Sequence, residues 1–406
     1  MRWLLALVVI TTSSATAADD LKLLSDTHQW FALRDAIRKV TNPPLLYQAA
    51  VACEFHDTHA CEHDVRGIVR DGSPADRADA YGFLMLQHAL AGHYRSAVEA
   101  SEERLKASRP SAAPDSLNAL LSAFDQHPDL AVASRGPSTI RYERAAGHLL
   151  LPSSINGKSA RYLLDTGANF SVIVASEAKR LGLRISEVRV EHVGDATGNG
   201  FSLTKIAFAD HINIGGFRLK NVPFMVLGDD LDVFTELPDG ARGAFGMQVL
   251  LALGNVRWNS RGDIQLGAPS QPLDISHANL CFDGLGMLTE AGYGDTRLVF
   301  VLDTGDSESR LGPRFAREFA ALVTERGKPG AWNLSGAGGV VETPATILSE
   351  FQLDLGSMRT TSAPIHIWKG DGGGREYHHG VIGLDILDQA SAVALDFRSM
   401  RLSLTK

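Results

Sequence analysis

Two tripeptides carry the chemistry open to this chain. Asp165-Thr166-Gly167, followed by Ala168-Asn169, returns as Asp303-Thr304-Gly305, followed by Asp306-Ser307. Two carboxylates held within a hydrogen bond of each other cannot both ionise cheaply, because like charges repel strongly in a water-poor cleft; they share one proton. Such a pair offers an acid and a base at once. Its ionised member takes a proton from water while its protonated member polarises a carbonyl, so water attacks directly and no acyl-enzyme forms. The pair titrates as a unit.

The flanking segments are of the type needed to position such a pair. Each aspartate follows a short apolar run of strand character, Arg161 to Leu164 and Leu298 to Leu302, and should emerge where glycine permits a tight turn. Downstream of the first lies Gly243-Ala244-Phe245-Gly246, and downstream of the second Gly380-Val381-Ile382-Gly383. The halves keep step: 81 positions separate Asp165 from Gly246, and 80 separate Asp303 from Gly383. Between these landmarks each half carries a Gly-rich turn, residues 194–200 and 335–339, and strand-like stretches, Ile212 to Val226 and Phe351 to Ile367. One Asp-Thr-Gly reads as a turn after a strand. Two in register read as a duplicated site feeding one cleft.

On Asp-Thr-Gly-Ala with Ser171-Val172-Ile173, and on the two apolar-apolar-Gly elements, the chain from about Ile140 onward resembles the aspartic peptidases of the pepsin and retroviral-protease superfamily, in the two-lobed single-chain form. The resemblance implies a mainly β, bilobal acid-protease fold in which Asp165 and Asp303 are catalytic. It implies that Thr166 and Thr304 hydrogen-bond across the loops, that Gly167 and Gly305 let backbone approach the carboxylates, and that the Gly-rich hairpins are flaps. Ala168 stands where relatives often carry a hydroxyl donor, which should raise the pair's pKa and favour a less acidic optimum than in the pepsin branch. Asp306 departs from the pattern. This third carboxylate could raise the pKa further, discourage acidic substrates, or turn away, and Arg310 is placed to neutralise it. Trp332 and the pair His378-His379 read as packing residues.

The expected activity is that of an aspartic endopeptidase on polypeptide; the alternative is a catalytically weak peptide-binding or assembly module, argued from Asp306 and the helical region. Both aspartates lie in one chain, so a monomer suffices. No Gly-x-Ser-x-Gly elbow or His-Glu-x-x-His supports another hydrolase, and no cofactor or metal is implied. The 39 basic and 47 acidic residues give a net charge of −8 without a basic block, which argues against nucleic acid.

The remaining segments divide the chain. Residues 1–17 place one positive charge before a short apolar run and end in Ala15-Thr16-Ala17, the pattern of a signal peptide on an exported protein, periplasmic or secreted. The run falls short of the ~20 residues that span a bilayer, so no stable membrane insertion is expected. Residues 18–135 show helical periodicity; the stretch from Ala80 through Gly92 to Leu105 looks like a tetratricopeptide repeat, on which a protein partner could dock. Residues 131–138 read as a linker, residues 136–270 as the first lobe and residues 271–406 as the second. Cys53 and Cys61, with His56, His59 and His63 nearby, admit a disulfide, free thiols or zinc; an oxidising compartment makes the disulfide the simplest use. Cys281 reads as a buried free thiol.

Overall fold

The structure, a computed structural model, describes residues 14–108, 116–195, 200–235, 237–238, 240–337, 339–368 and 377–406. Most of the proposed leader therefore lies outside the described residues, as does the tip of the first Gly-rich turn. Among the described residues seven helices come first: α1 (Ser14–Asp26), α2 (Trp30–Ile37), α3 (Leu45–Glu54), α4 (Thr58–Asp71), α5 (Pro74–Ala91), α6 (Tyr94–Ala107) and α7 (Ser116–Phe124). Their ends are written locally. Ser73 accepts the Asp76 N–H and Asp76 accepts the Ser73 N–H, a capping box with Pro74 at the first helical position. Gly92, at φ +75°, ends α5 in the left-handed conformation and turns the chain into α6. A disulfide joins Cys53 at the end of α3 to Cys61 in α4, and Cys281 is buried and unpaired in a disulfide.

Strands dominate the rest. In the first lobe, Phe217–Leu227, Val172–Val174, Gly243–Phe245, Lys158–Leu164, His148–Ile155 and Phe201–Ile214 pair in that order, and the last pairs back to the first, closing a barrel. The second lobe repeats the central arrangement with Thr296–Leu302, Gly380–Ile382 and Arg310–Leu311 in a ten-stranded sheet. A third sheet ties the lobes together: Ser138–Arg141, Asp263–Leu266, Asn255–Asn259, Ala392–Asp396 and Arg401–Thr405.

Strand alternation splits the core in two. Along paired strands Leu150 and Leu163 face one way, while Leu149, Leu151, Tyr162 and Leu164 face the other. The second set joins the large core that runs through both lobes. The first set packs against Met85, Ala89, Tyr94, Leu121 and Phe124 of the helical layer, so these helices complete the first lobe's outer core.

One expectation changes here. Residues 131–138, read as a linker, are largely strand: Ala131–Ser134 pairs with Phe217–Leu227, and Ser138–Arg141 begins the interlobe sheet. The segment is exposed and broken by Gly136-Pro137, which hides its pairing from any burial pattern.

Candidate active site

Each aspartate leaves the end of a central strand at the same kind of crossing. Leu163 and Leu164 pair in parallel with Ala244 and Phe245, and the Asp165 N–H donates to the Phe245 carbonyl at 3.2 Å. Val301 and Leu302 pair with Val381 and Ile382, and the Asp303 N–H donates to the Ile382 carbonyl at 2.9 Å. The glycine after each pair is required by space. A Cβ on Gly246 would lie 2.6 Å from the Ala168 carbonyl oxygen, and one on Gly383 would lie 2.7 Å from that of Asp306. Each loop returns over its glycine, and Met247 N–H and Leu384 N–H donate to those same carbonyls, both at 2.9 Å.

Two serines complete this duplicated scaffold. Ser171 and Ser309 each lie six positions after their aspartate; Ser171 Oγ accepts the Gly246 N–H at 3.1 Å and Ser309 Oγ accepts the Gly383 N–H at 2.8 Å. The equal offset is visible in the sequence, whereas the bonds to glycines 75 and 74 positions away form only in the fold.

Reciprocal hydrogen bonds lock the two loops together. Thr166 Oγ1 accepts the Thr304 N–H at 3.0 Å and donates to the Leu302 carbonyl at 2.7 Å; Thr304 Oγ1 accepts the Thr166 N–H at 3.0 Å and donates to the Leu164 carbonyl at 2.7 Å. Both threonines are fully buried. This brings each carboxylate against the other loop's glycine: a Cβ on Gly167 would lie 2.3 Å from Asp303 Cγ, and one on Gly305 would lie 2.4 Å from Asp165 Cγ. Any other residue at either glycine would displace the opposite carboxylate.

Burial and the neighbouring Asp303 charge push the Asp165 carboxyl well up from its ordinary range. The Gly167 and Ala168 N–H groups, donating to Asp165 Oδ1 at 2.9 and 3.0 Å, pull the other way but do not prevail. Asp165 also shares a hydrogen bond with Asp303. Ala168 thus contributes a backbone donor in place of a side-chain one. Asp306 turns along its own loop, paired with the buried Arg310, and accepts the Glu308 N–H at 3.1 Å. The Arg310 guanidinium lies 5.0 Å from the centroid of the Trp332 ring.

The dyad opens into a cleft of about 1300 Å³. Both Gly-rich hairpins supply its walls, through His192 and Phe201 from the first and Trp332, Leu334 and Ala337 from the second. Trp332 and His378, expected to be packing residues, line the cleft. Isolated residues outside a periodic pattern carry no signal that tells a cleft wall from a core.

Residues 151–249 match the aspartyl protease family model. That stretch of the first lobe is similar to aspartyl proteases. The match begins within the strand His148–Ile155 and ends in the first turn of the helix after Gly246, so the first Asp-Thr-Gly loop and its supporting glycine fall within it. The chain is also similar to a retropepsin-like aspartic protease from Rickettsia conorii, at 23% identity over 34% of this chain and 92% of that one, with a TM-score of 0.23. No curated protein sequence matches. The second lobe's likeness to the first rests on the repeated pairing described above.

The second lobe and the helical layer share a further buried cluster that no sequence pattern marks. Asp283, on the cleft wall, accepts from Trp30 Nε1 at 2.9 Å and lies 2.6 Å from His28 Nδ1 and 3.0 Å from His378 Nε2. Burial would raise this carboxyl, but the His28 hydrogen bond and the adjoining His378 ring outweigh it and hold Asp283 well below the usual range. The Asp283 hydrogen bond raises His28 in turn. Glu54 of α3 lies beside them, its carboxyl pushed well up by burial and by the Asp283 charge. The cluster fastens the helical layer to the second lobe.

Proposed function

We propose that this protein is an exported aspartic endopeptidase, periplasmic or secreted, whose Asp165 and Asp303 carboxyls share one proton in a single intramolecular site. One observation carries the reading: each Asp-Thr-Gly loop leaves only a glycine's space against the opposite carboxylate, and the two threonines fix that approach. A turn with no chemical role has no need of such an approach.

In the resting pair one carboxyl is protonated and one ionised. The ionised member takes a proton from water as the water oxygen attacks the scissile carbonyl carbon, and the protonated member gives its proton to the carbonyl oxygen. The two have now exchanged roles. On collapse a hydroxyl proton returns to the ionised member, the other carboxyl protonates the amide nitrogen, and the C–N bond breaks. Acid and amine leave, and the pair again holds one proton. A substrate lying extended beneath the two hairpins presents its backbone to this pair as an added strand would.

Asp306, which argued for a weakened site, is neutralised by Arg310 and so spares the dyad a third free charge. The Cys53–Cys61 disulfide suits an oxidising compartment and supports export.

The test is cleavage of an unfolded protein substrate from acid to mildly alkaline pH, with and without pepstatin. Asp165→Asn and Asp303→Asn should each lower turnover at least about a hundredfold. Full activity in either single variant would dispose of the intramolecular dyad.

A further inference from the structure

The helical layer reaches the dyad's own cleft. Leu86 of α5 and Leu117 and Leu120 of α7 line the same cavity as Asp165 and Asp303. Leu120 is buried, whereas Leu86 and Leu117 keep part of their surface open. All three belong to one contiguous apolar cluster with Leu163, Phe170, Met225 and Ala244, residues that surround the first aspartate's loop. The second lobe lines the cleft with Asp283, Asp306, Glu308 and His378 and also with apolar residues such as Leu285 and Leu288. The helices thus add an apolar patch to the cleft beside the first aspartate's loop.

These helices are built in. Tyr94 OH donates to Gln248 Oε1 at 3.0 Å, and Gln248 Nε2 donates to the Ala89 carbonyl, both contacts buried. Phe124 packs edge-on against Phe170 and Phe208, with centroids at 5.4 and 6.0 Å. His127 stacks on Phe208 at 3.9 Å, next to the strand that carries the first hairpin. Removing the layer would strip a core face from the first lobe.

We propose that α5 and α7 form a permanent third wall of the substrate cleft, and that Leu86, Leu117 and Leu120 close an apolar subsite selecting a large apolar substrate side chain. The proposal rests on the peptidase reading and adds to it a substrate class and a function for the helices. The occupant is one side chain of an extended polypeptide, because the subsite is continuous with the dyad. An apolar wall excludes a charged side chain at that position, since desolvating the charge there is not repaid.

The experiment uses a peptide set in which one position at a time is Leu, Ala or Glu in a small-residue background. Wild type, Leu117→Lys and Leu86→Ala are compared by cleavage, and the same changes in an Asp303→Asn background are compared by peptide binding. Circular dichroism melts report folding, and Leu86→Ala serves if the lysine variant does not fold. Wild type should favour Leu over Glu at one fixed position. Leu117→Lys should erode that preference about tenfold or more, the scale on which apolar pockets discriminate, and admit Glu there while other positions stay unchanged. Leu86→Ala should weaken the Leu preference without admitting Glu. A preference unmoved in both folded variants overturns the wall, even with cleavage intact. Absent cleavage but binding that still loses its Leu preference in Leu117→Lys overturns the peptidase and leaves the wall standing.

Discussion

Replacing Thr166 by valine removes one oxygen and almost no volume, so the change isolates two hydrogen bonds from packing. That oxygen accepts the Thr304 N–H and donates to the Leu302 carbonyl, and both backbone groups belong to residues with no exposed surface. Each orphaned buried group costs about 1–3 kcal/mol, so Thr166→Val should lose about 2–6 kcal/mol. For a folded unit of 150–250 residues 1 kcal/mol corresponds to about 2–4 °C, and a loss near 3 kcal/mol lowers Tm by about 6–12 °C. Thr166→Ser keeps the oxygen and gives up one methyl, a loss of about 1 kcal/mol. The four interloop bonds divide two to each hydroxyl, so Thr304→Val should behave alike. Misalignment of the carboxylates should also lower kcat about a hundredfold, the scale of an ångström's displacement. Melts and steady-state kinetics on the three variants decide the matter. A Thr166→Val protein that melts with wild type, or below it by no more than Thr166→Ser, would refute the claim that these threonines carry the junction.

Two further outcomes concern protons. The raised Asp165 carboxyl means the folded state holds a proton that the unfolded chain releases at lower pH, so this group's stabilisation is complete in acid and is lost as pH rises from the ordinary carboxylate range through the raised value; Asp165→Asn should flatten that decline and melt higher than wild type at neutral pH, and parallel melting curves across pH would contradict it. At Asp283 the lowered carboxyl contributes stability that is present above the ordinary carboxylate range and lost in strong acid, while the raised His28 contributes stability that is lost as pH climbs through its raised value. The attachment of the helical layer should therefore be firmest at mildly acid pH, and Asp283→Asn should remove that maximum, with faster amide exchange in α2 as the readout; unchanged exchange in α2 would show that His28 and Trp30 do not depend on this carboxylate.

The residues that could do chemistry were legible in the chain because their signals are local. Asp-Thr-Gly and the apolar-apolar-Gly element each fit within a few residues, and their equal spacing in two halves followed from counting. Helix ends at Ser73 and Gly92 likewise rest on neighbours in sequence. The disulfide spans only eight residues.

What the tertiary structure alone decided involves partners far apart in the chain. The threonine bonds join residues 138 apart, and Asp283 meets Trp30 across 253. No periodicity encodes such pairs, because period reports which face of an element is buried and not what buries it. Hence only the fold sets Leu86, Leu117 and Leu120 against the cleft. The same holds for residues 131–138, where strand pairing supplies an order that an exposed, proline-broken stretch does not advertise, and for the interlobe sheet, whose five strands come from both halves of the chain.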